Sequence, residues 1–357
     1  MNYTTHKPKQ PMTTMKLLVH AAALCVTFAF TTTALAQGPL TPPGPPGPIF
    51  KTLQQIEPRV DVNTLGGDGN SLIVIDQPGS YYLTANIVGV AGKNGICIKA
   101  NHVTLDLNGF TLQGVANALT GVLLPSVFDY TVVRNGRLQG WGQSGLDFGS
   151  NGFGAHGSRL EDVIAADNGA YGIYVSGAEV RRCTGLRNRY YGLFVYDGSV
   201  TDCTAEQNDQ DGIEAVRTRV VHCAARYNRE IGIWVDGGEV RDSECTGNAR
   251  WGISVTSQSL ILQNVCRFNG SETNADSAGI RGGLLGGSRI EGNTVHFYFG
   301  TGLSIGFVNP QFSFPNVIVK NICIGSAASA YSIGPGNNVG PIGTADTATS
   351  PFANLRN

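Results

Sequence analysis

Residues 171–180 read Tyr171-Gly172-Ile173-Tyr174-Val175-Ser176-Gly177-Ala178-Glu179-Val180, and the same frame returns every 20 residues. Tyr191-Gly192-Leu193, Asp211-Gly212-Ile213, Ile231-Gly232-Ile233 and Trp251-Gly252-Ile253 restart it. Two residues past each aliphatic stand Val175, Val195, Ala215, Val235 and Val255, and five further on stand Val180, Val200, Val220, Val240 and Leu260. Asn168, Asn188, Asn208, Asn228 and Asn248 hold the register, and Asn269 falls one residue late. The period-two spacing of Ile173 and Val175 predicts strand rather than helix. A second strand is expected over 179–182, with Gly-containing turns such as Ser176-Gly177 and Gly237-Gly238 between the strands. Strands this short bury nothing alone. Stacked at about 4.8 Å they make a long parallel sheet, and a 20-residue coil is half of what a propeller blade needs.

Outward from this core the frame loosens but persists. Asn94-Gly95-Ile96-Cys97-Ile98, Thr120-Gly121-Val122-Leu123, Ser144-Gly145-Leu146, Ala278-Gly279-Ile280 and Gly302-Leu303-Ser304-Ile305 each restart it. The reading is an all-β, single-stranded parallel β-helix of roughly ten coils over residues 71–335, with almost no helix. A short N-terminal cap is expected over 51–70, including one or two helical turns over 51–57, and a C-terminal cap or tail over 336–357. Composition agrees: 48 Gly and only 14% charged residues suit many tight turns.

Lys7, Lys9 and Lys16 precede the apolar run 17–30, and Ala34-Leu35-Ala36 follows. That is the three-part pattern of a secretory signal over residues 1–36, with the mature chain beginning at Gln37. The protein is expected to be secreted, extracellular or periplasmic, with no membrane span once the signal is gone. The Pro/Gly-rich stretch 37–50 reads as a stiff spacer. The net charge of −1, with three Lys as the only charged groups before residue 37, argues against nucleic acid as a partner.

Ile75-Asp76-Gln77-Pro78-Gly79-Ser80-Tyr81-Tyr82-Leu83 resembles the opening segment of bacterial, pectate-lyase-like, right-handed parallel β-helix proteins. Val103 to Leu112 is similar to their first full rung. Asn337-Asn338-Val339-Gly340-Pro341-Ile342 and Pro351-Phe352-Ala353-Asn354 resemble a common ending. The resemblance spans about residues 70–357 and implies a right-handed coil. It leaves the reaction open, because the superfamily holds lyases, hydrolases, epimerases, phage spikes and adhesins. The clustered Asp-Asp and Gly-His-Gly motifs of its polygalacturonase-type hydrolases and the Asp-Pro-His-Glu motif of its mannuronan epimerases are missing here.

Three columns with repeating structural residues are set aside first. Stacked Asn amides read as a ladder of side-chain hydrogen bonds at a left-handed turn. Cys183, Cys203 and Cys223, continued by Ser243, with Cys245 and Cys266 in a shifted column, read as buried free thiols rather than a zinc site. His102, His156, His222 and His296 share no ligand spacing, and Gly67-Asp68-Gly69-Asn70 is a turn without a phosphate-loop context.

The outward positions of the first strand carry the functional expectation. If Ile173 and Val175 point in, Tyr174 and Ser176 point out. One outward column is then Tyr174, Phe194, Glu214, Trp234 and Ser254, and the next is Ser176, Tyr196, Val216, Asp236 and Thr256. Tyr171, Tyr191, Asp211, Ile231 and Trp251 stand at the strand entrance. Rings pack on the apolar faces of sugars and charged groups bind hydroxyls or uronates, so the substrate-binding candidates are Tyr171, Tyr174, Tyr191, Phe194, Tyr196, Trp234 and Trp251. The bland alternative is that the rings stiffen the sheet by stacking on one another.

Glu214, Asp236 and Arg229 are the catalytic candidates. Glu214 and Asp236, one rung and two residues apart, lie roughly 8 Å from each other by rung geometry, within the range of about 6.5–9.5 Å used by inverting glycosidases. A lyase would instead set a cation at Asp209 and Asp211, with Arg229 or Arg189 near the abstracted proton. The oxygen-rich run Asn208 to Gly212 makes Asp209 and Asp211 the candidate Ca2+ ligands, and no other cofactor is implied. The expected protein is therefore a monomeric, secreted β-helix that binds a polysaccharide or cell-surface glycan, with lyase or hydrolase processing as an extension. The alternative is a non-catalytic extracellular or cell-surface structural or adhesin-type β-helix.

Overall fold

The computed structural model of the chain describes residues 58–149, 154–271, 276–283, 285–297, 300–305, 314–325 and 329–356. The expected signal, the Pro/Gly-rich spacer and the helical turns of 51–57 lie outside the described residues. Each 20-residue rung is three short strands, as in Ile173–Ser176, Ala178–Arg181 and Thr184–Leu186. First strands stack into a parallel sheet of twelve, and the second and third strands together form a second sheet of 24. The 3-10 turn Val62–Thr64 is the sole helical element among the described residues.

The register is the one the repeat demands. Ile173, Leu193, Ile213, Ile233 and Ile253 pair rung to rung in one interior column, and all are fully buried. Val175, Val195, Ala215, Val235 and Val255 form the next, and strand residues between them face out. Each Ile or Leu so buried stabilises the fold by about 1.5–3 kcal/mol relative to exposure.

One column departs from the expectation. Val180, Val200, Val220 and Val240 are continued inward by Ile261, while Leu260 pairs with Glu239 and is 44% exposed. The rung that begins at Trp251 carries one extra residue before its second strand. A slip of one residue exchanges the two faces of a strand, so the aliphatic after Leu260 takes the inner place. The same insertion explains why Asn269 follows Asn248 by 21 residues.

The three corners explain the remaining periodicity. At each corner one residue takes a left-handed backbone: Gly177, Asp197, Arg217 and Gly237 at the first, Arg182, Asp202, His222 and Asp242 at the second, Arg187, Gln207, Tyr227 and Gly247 at the third. The Asn residues are therefore not the left-handed ones; each follows such a residue and turns its amide into the wall. Asn208 Oδ1 accepts from the backbone N and Nδ2 of Asn188 at 2.9 and 3.0 Å, while Asn208 Nδ2 donates to Gly185 O and Asn228 Oδ1. Buried main-chain donors need such partners.

The thiol column does the same work at the second corner. Cys183 N donates to Cys203 Sγ at 3.3 Å, Cys223 N to Ser243 Oγ at 3.1 Å, and Ser243 N to Asn264 Oδ1 at 3.0 Å. Cys245 and Cys266 belong instead to the inner column of the third strand, after Gly185, Ala205 and Ala225. The seven cysteines of the described residues are all free and buried.

Both ends extend the second sheet. Val60–Asp61 pairs with Tyr81 and Tyr82, so residues 58–70 already contribute a strand. At the other end Asn338–Val339, Ile342–Gly343 and Asn354–Arg356 continue the parallel pairing past residue 335, and Asn354 accepts from Asn321 to close the Asn column.

Candidate functional site

The first sheet holds its outward side chains on a backbone fixed by ladders above and below, so neighbours one rung apart must touch. Register places Tyr174, Phe194, Glu214, Trp234 and Ser254 in one column, as the repeat predicts. Tyr174 and Phe194 stack with ring centroids 4.7 Å apart and planes at 19°. Tyr171 lies 5.2 Å from Tyr174 and 5.6 Å from Tyr191, and Tyr191 meets Phe194 edge-on at 5.9 Å. These half-buried rings form one continuous aromatic platform, which Tyr190 extends at 5.8 Å from Tyr171.

Beside the platform the column turns acidic. Glu214 is paired in register with Phe194 on one side and Trp234 on the other. Burial raises its pKa, opposed by a hydrogen bond from the Tyr191 hydroxyl. Asp211 is buried at the strand entrance, and one carboxylate oxygen accepts from Ile231 N at 2.9 Å. Burial, reinforced by the charges of Glu214 and Glu230 against the pull of Ile231 N and Arg250, pushes its pKa up to about 7. Burial first, then Glu214, also raises the Tyr191 hydroxyl. Asp236 stands one rung and two positions from Glu214 and accepts from Ser257 Oγ at 2.6 Å.

The expected rings are not equally open on this surface. Trp251 is only 9% exposed: its indole donates to Asp276 O, and the guanidinium carbons of Arg250 and Arg281 lie 4.0 and 4.3 Å from its ring centre. With Ile231 and Ala278 it makes a small core of its own against which Trp234 leans. Tyr196 is covered by Arg217 at 4.1 Å. Trp251 thus offers no bare ring for stacking, whereas Tyr196, with Arg217 over its ring, and Trp234 are both half-buried and keep part of their surface free.

Arg229 also lies elsewhere. It is 76% exposed at the third corner, 3.2 Å from Asp209, in a cleft of about 520 Å³ shared with Arg187, Gln207 and Tyr227. Asp209 and Asp211 do not converge, since one holds Arg229 and the other holds the Ile231 amide. Among the described residues no group of three or more His, Cys, Asp or Glu could hold a metal ion.

The sequence reading missed Asp147, Arg217 and Arg281. Asp147 continues the same column between Leu123 and Tyr174 but is buried there, and its carboxylate accepts from Gly149 N at 3.1 Å. Ser144-Gly145-Leu146 matched the repeat, so reading one residue further would have found it. Arg281 follows Ile280 in the same way and pairs with Ser254.

The described residues contain no helix long and apolar enough to cross a membrane. A family model described as the right-handed β-helix region matches residues 63–220. Together with the two parallel sheets, this makes the chain a right-handed parallel β-helix protein. The A-modules of two mannuronan C-5 epimerases of Azotobacter vinelandii share the fold with TM-scores of 0.50. One is 13% identical over 78% of this chain and 99% of the module, the other 14% identical over 84% and 99%. The Dettilon tailspike protein aligns with a TM-score of 0.46 and 14% identity over 80% of this chain, which spans 59% of the tailspike's length. No curated protein matches the sequence.

Proposed function

We propose that the outward face of the first sheet, from Tyr174 to Trp234, binds a polysaccharide or cell-surface glycan. The observation that carries this reading is the juxtaposition, on one rigid sheet, of a half-exposed aromatic platform with Glu214 and Asp236, which have no charged partner among the described residues. Rings of this kind pack on the C–H faces of sugars, and Glu214 and Asp236 accept from their hydroxyls. The two epimerase modules are named for mannuronan, which agrees with a glycan on such a face. Secretion by the signal of residues 1–36 would bring the face to its ligand.

The test is a broad polysaccharide screen by affinity electrophoresis, followed by Phe194→Ala and Trp234→Ala. Each is expected to weaken binding by about 1–3 kcal/mol. Trp234 leans on Trp251, so melting temperatures must be measured alongside, and Phe194→Ala is the cleaner variant. Absence of affinity for any polymer, or unchanged affinity in both variants, leaves the structural or adhesin-type reading.

Processing of the bound glycan is the second reading, and Asp211 favours it. A carboxyl that keeps its proton near neutral pH is what general-acid chemistry on a glycosidic oxygen requires. Asp236, across the column from Glu214, would serve as the base of a hydrolase. Lyase chemistry has less support, because Arg229 is engaged by Asp209 at the corner. Asp211→Asn and Asp236→Asn should abolish release of reducing ends while sparing binding, and Glu214→Gln tests whether Glu214, whose pKa burial also raises, is the acid in place of Asp211. In a pure binding protein there is no release to lose.

A further inference from the structure

Charge is distributed unevenly around the solenoid. On the second sheet, cations and carboxylates pair along and across the rungs: Arg159 with Glu179 at 3.0 Å, Arg219 with Glu239 at 3.0 Å, and Arg226 with Glu244 at 3.1 Å. On the first-sheet face Asp211, Glu214 and Asp236 have no cation within ion-pair distance among the described residues. They are met by a backbone amide, a tyrosine hydroxyl and a serine hydroxyl respectively.

The cations bordering that face are already engaged. Arg217 grips Asp197 through two bonds of 2.7 Å while lying over Tyr196. Arg250 lies 3.4 Å from Glu230 and 3.7 Å from Asp276. Arg281 is bonded to Asp276, and both these guanidiniums are stacked on Trp251. Arg229 is held by Asp209. Arg189, exposed at the corner two residues before Tyr191, is the exception, with no ion-pair partner among the described residues.

A uronate or sulfate leaving water asks for a charge-assisted donor, and Arg is the usual supplier because its fork matches the anion's two oxygens. Here it would meet carboxylates instead, and like charges at close range disfavour binding. A sugar hydroxyl asks for an acceptor, which is what these carboxyls offer. Building on the glycan-binding reading above, we infer that the ligand of this face is an uncharged polysaccharide, with neutral sugars lying across Tyr174, Phe194 and Trp234 and their hydroxyls donating to Glu214 and Asp236.

The experiment compares matched polymers that differ only in charge. Neutral glucans, mannans, xylans and galactans are each titrated calorimetrically beside their carboxymethylated forms, with polygalacturonate and alginate added, at pH 7.5 and moderate salt. At least one neutral polymer should bind, its carboxymethylated form at least tenfold more weakly. The double variant Glu214→Gln/Asp236→Asn should narrow that gap, and melting curves check that it folds. If it does not fold, the wild-type comparison alone decides. Tighter binding of the acidic polymers, lost in Arg189→Ala and weakened by Phe194→Ala, would overturn the neutral-ligand inference yet leave the glycan site standing. Binding of no polymer at all removes both.

Discussion

Asp211 supplies the most quantitative consequence of this architecture. Its carboxyl is buried at the strand entrance, and its pKa rises from the ordinary 3.8 to about 7. A carboxyl with a raised folded-state pKa binds more protons folded than unfolded between those two values, so it makes stability fall as pH rises through that window. Below about pH 4 the group is protonated in both states and costs nothing. Above about pH 7 it is ionised in both, and the folded state carries the full deficit of about 4 kcal/mol, at 1.36 kcal/mol per pKa unit. Asp211→Asn removes the titration while keeping an oxygen for the Ile231 amide. The variant should match the wild type in urea midpoint near pH 4 and exceed it increasingly up to pH 8, by as much as about 4 kcal/mol. Urea melts at pH 4, 5.5, 7 and 8 provide the assay. A difference between the two proteins that stays constant with pH would refute the assignment of a neutral, buried Asp211.

Three further outcomes are expected. Asn208→Ala deprives the buried Asn188 amide of its acceptor and interrupts the column in both directions, so it should cost about 2–4 kcal/mol in chemical denaturation. The seven cysteines of the described residues should resist a thiol reagent in the native protein and titrate as free thiols after unfolding; two or more disulfides between neighbouring rungs would contradict the column. The secreted protein should begin at Gln37 by N-terminal sequencing, and retention of residues 1–36 would discount the export signal.

The sequence made the rung legible because packing constrains it there: Ile173, Ile213 and Ile233 must lie in one column once a period-two strand repeats at a fixed interval. It also revealed which residues of that strand face out, and hence the Tyr174–Phe194–Glu214–Trp234 series. Local backbone geometry was less visible. The left-handed residue at the third corner varies among Arg187, Gln207, Tyr227 and Gly247, and the constant Asn beside it drew the assignment to itself. The fate of Trp251 was hidden for another reason. Arg281, one of its two covering guanidiniums, comes from the next rung, where the matched Ala278-Gly279-Ile280 sets it beside Ser254; the swing of its long side chain back over the ring is not written in the repeat.

The amide column has a consequence for how such a chain changes length over generations. Every Asn accepts from the rung before it and donates to the one after, so a copied block of residues 188–207 spliced in after itself would find both partners waiting. Gain or loss of one whole coil is then nearly neutral for the neighbours, since each contacts only those adjacent to it. Each duplication would lengthen the outward face by about 4.8 Å and present one more ring or carboxyl to whatever lies along it. A frame error of a single residue, by contrast, inverts every strand beyond it unless a turn absorbs the difference, as the turn before Leu260 does. Reach in this protein is therefore quantised, and its unit of inheritance is the coil rather than the residue.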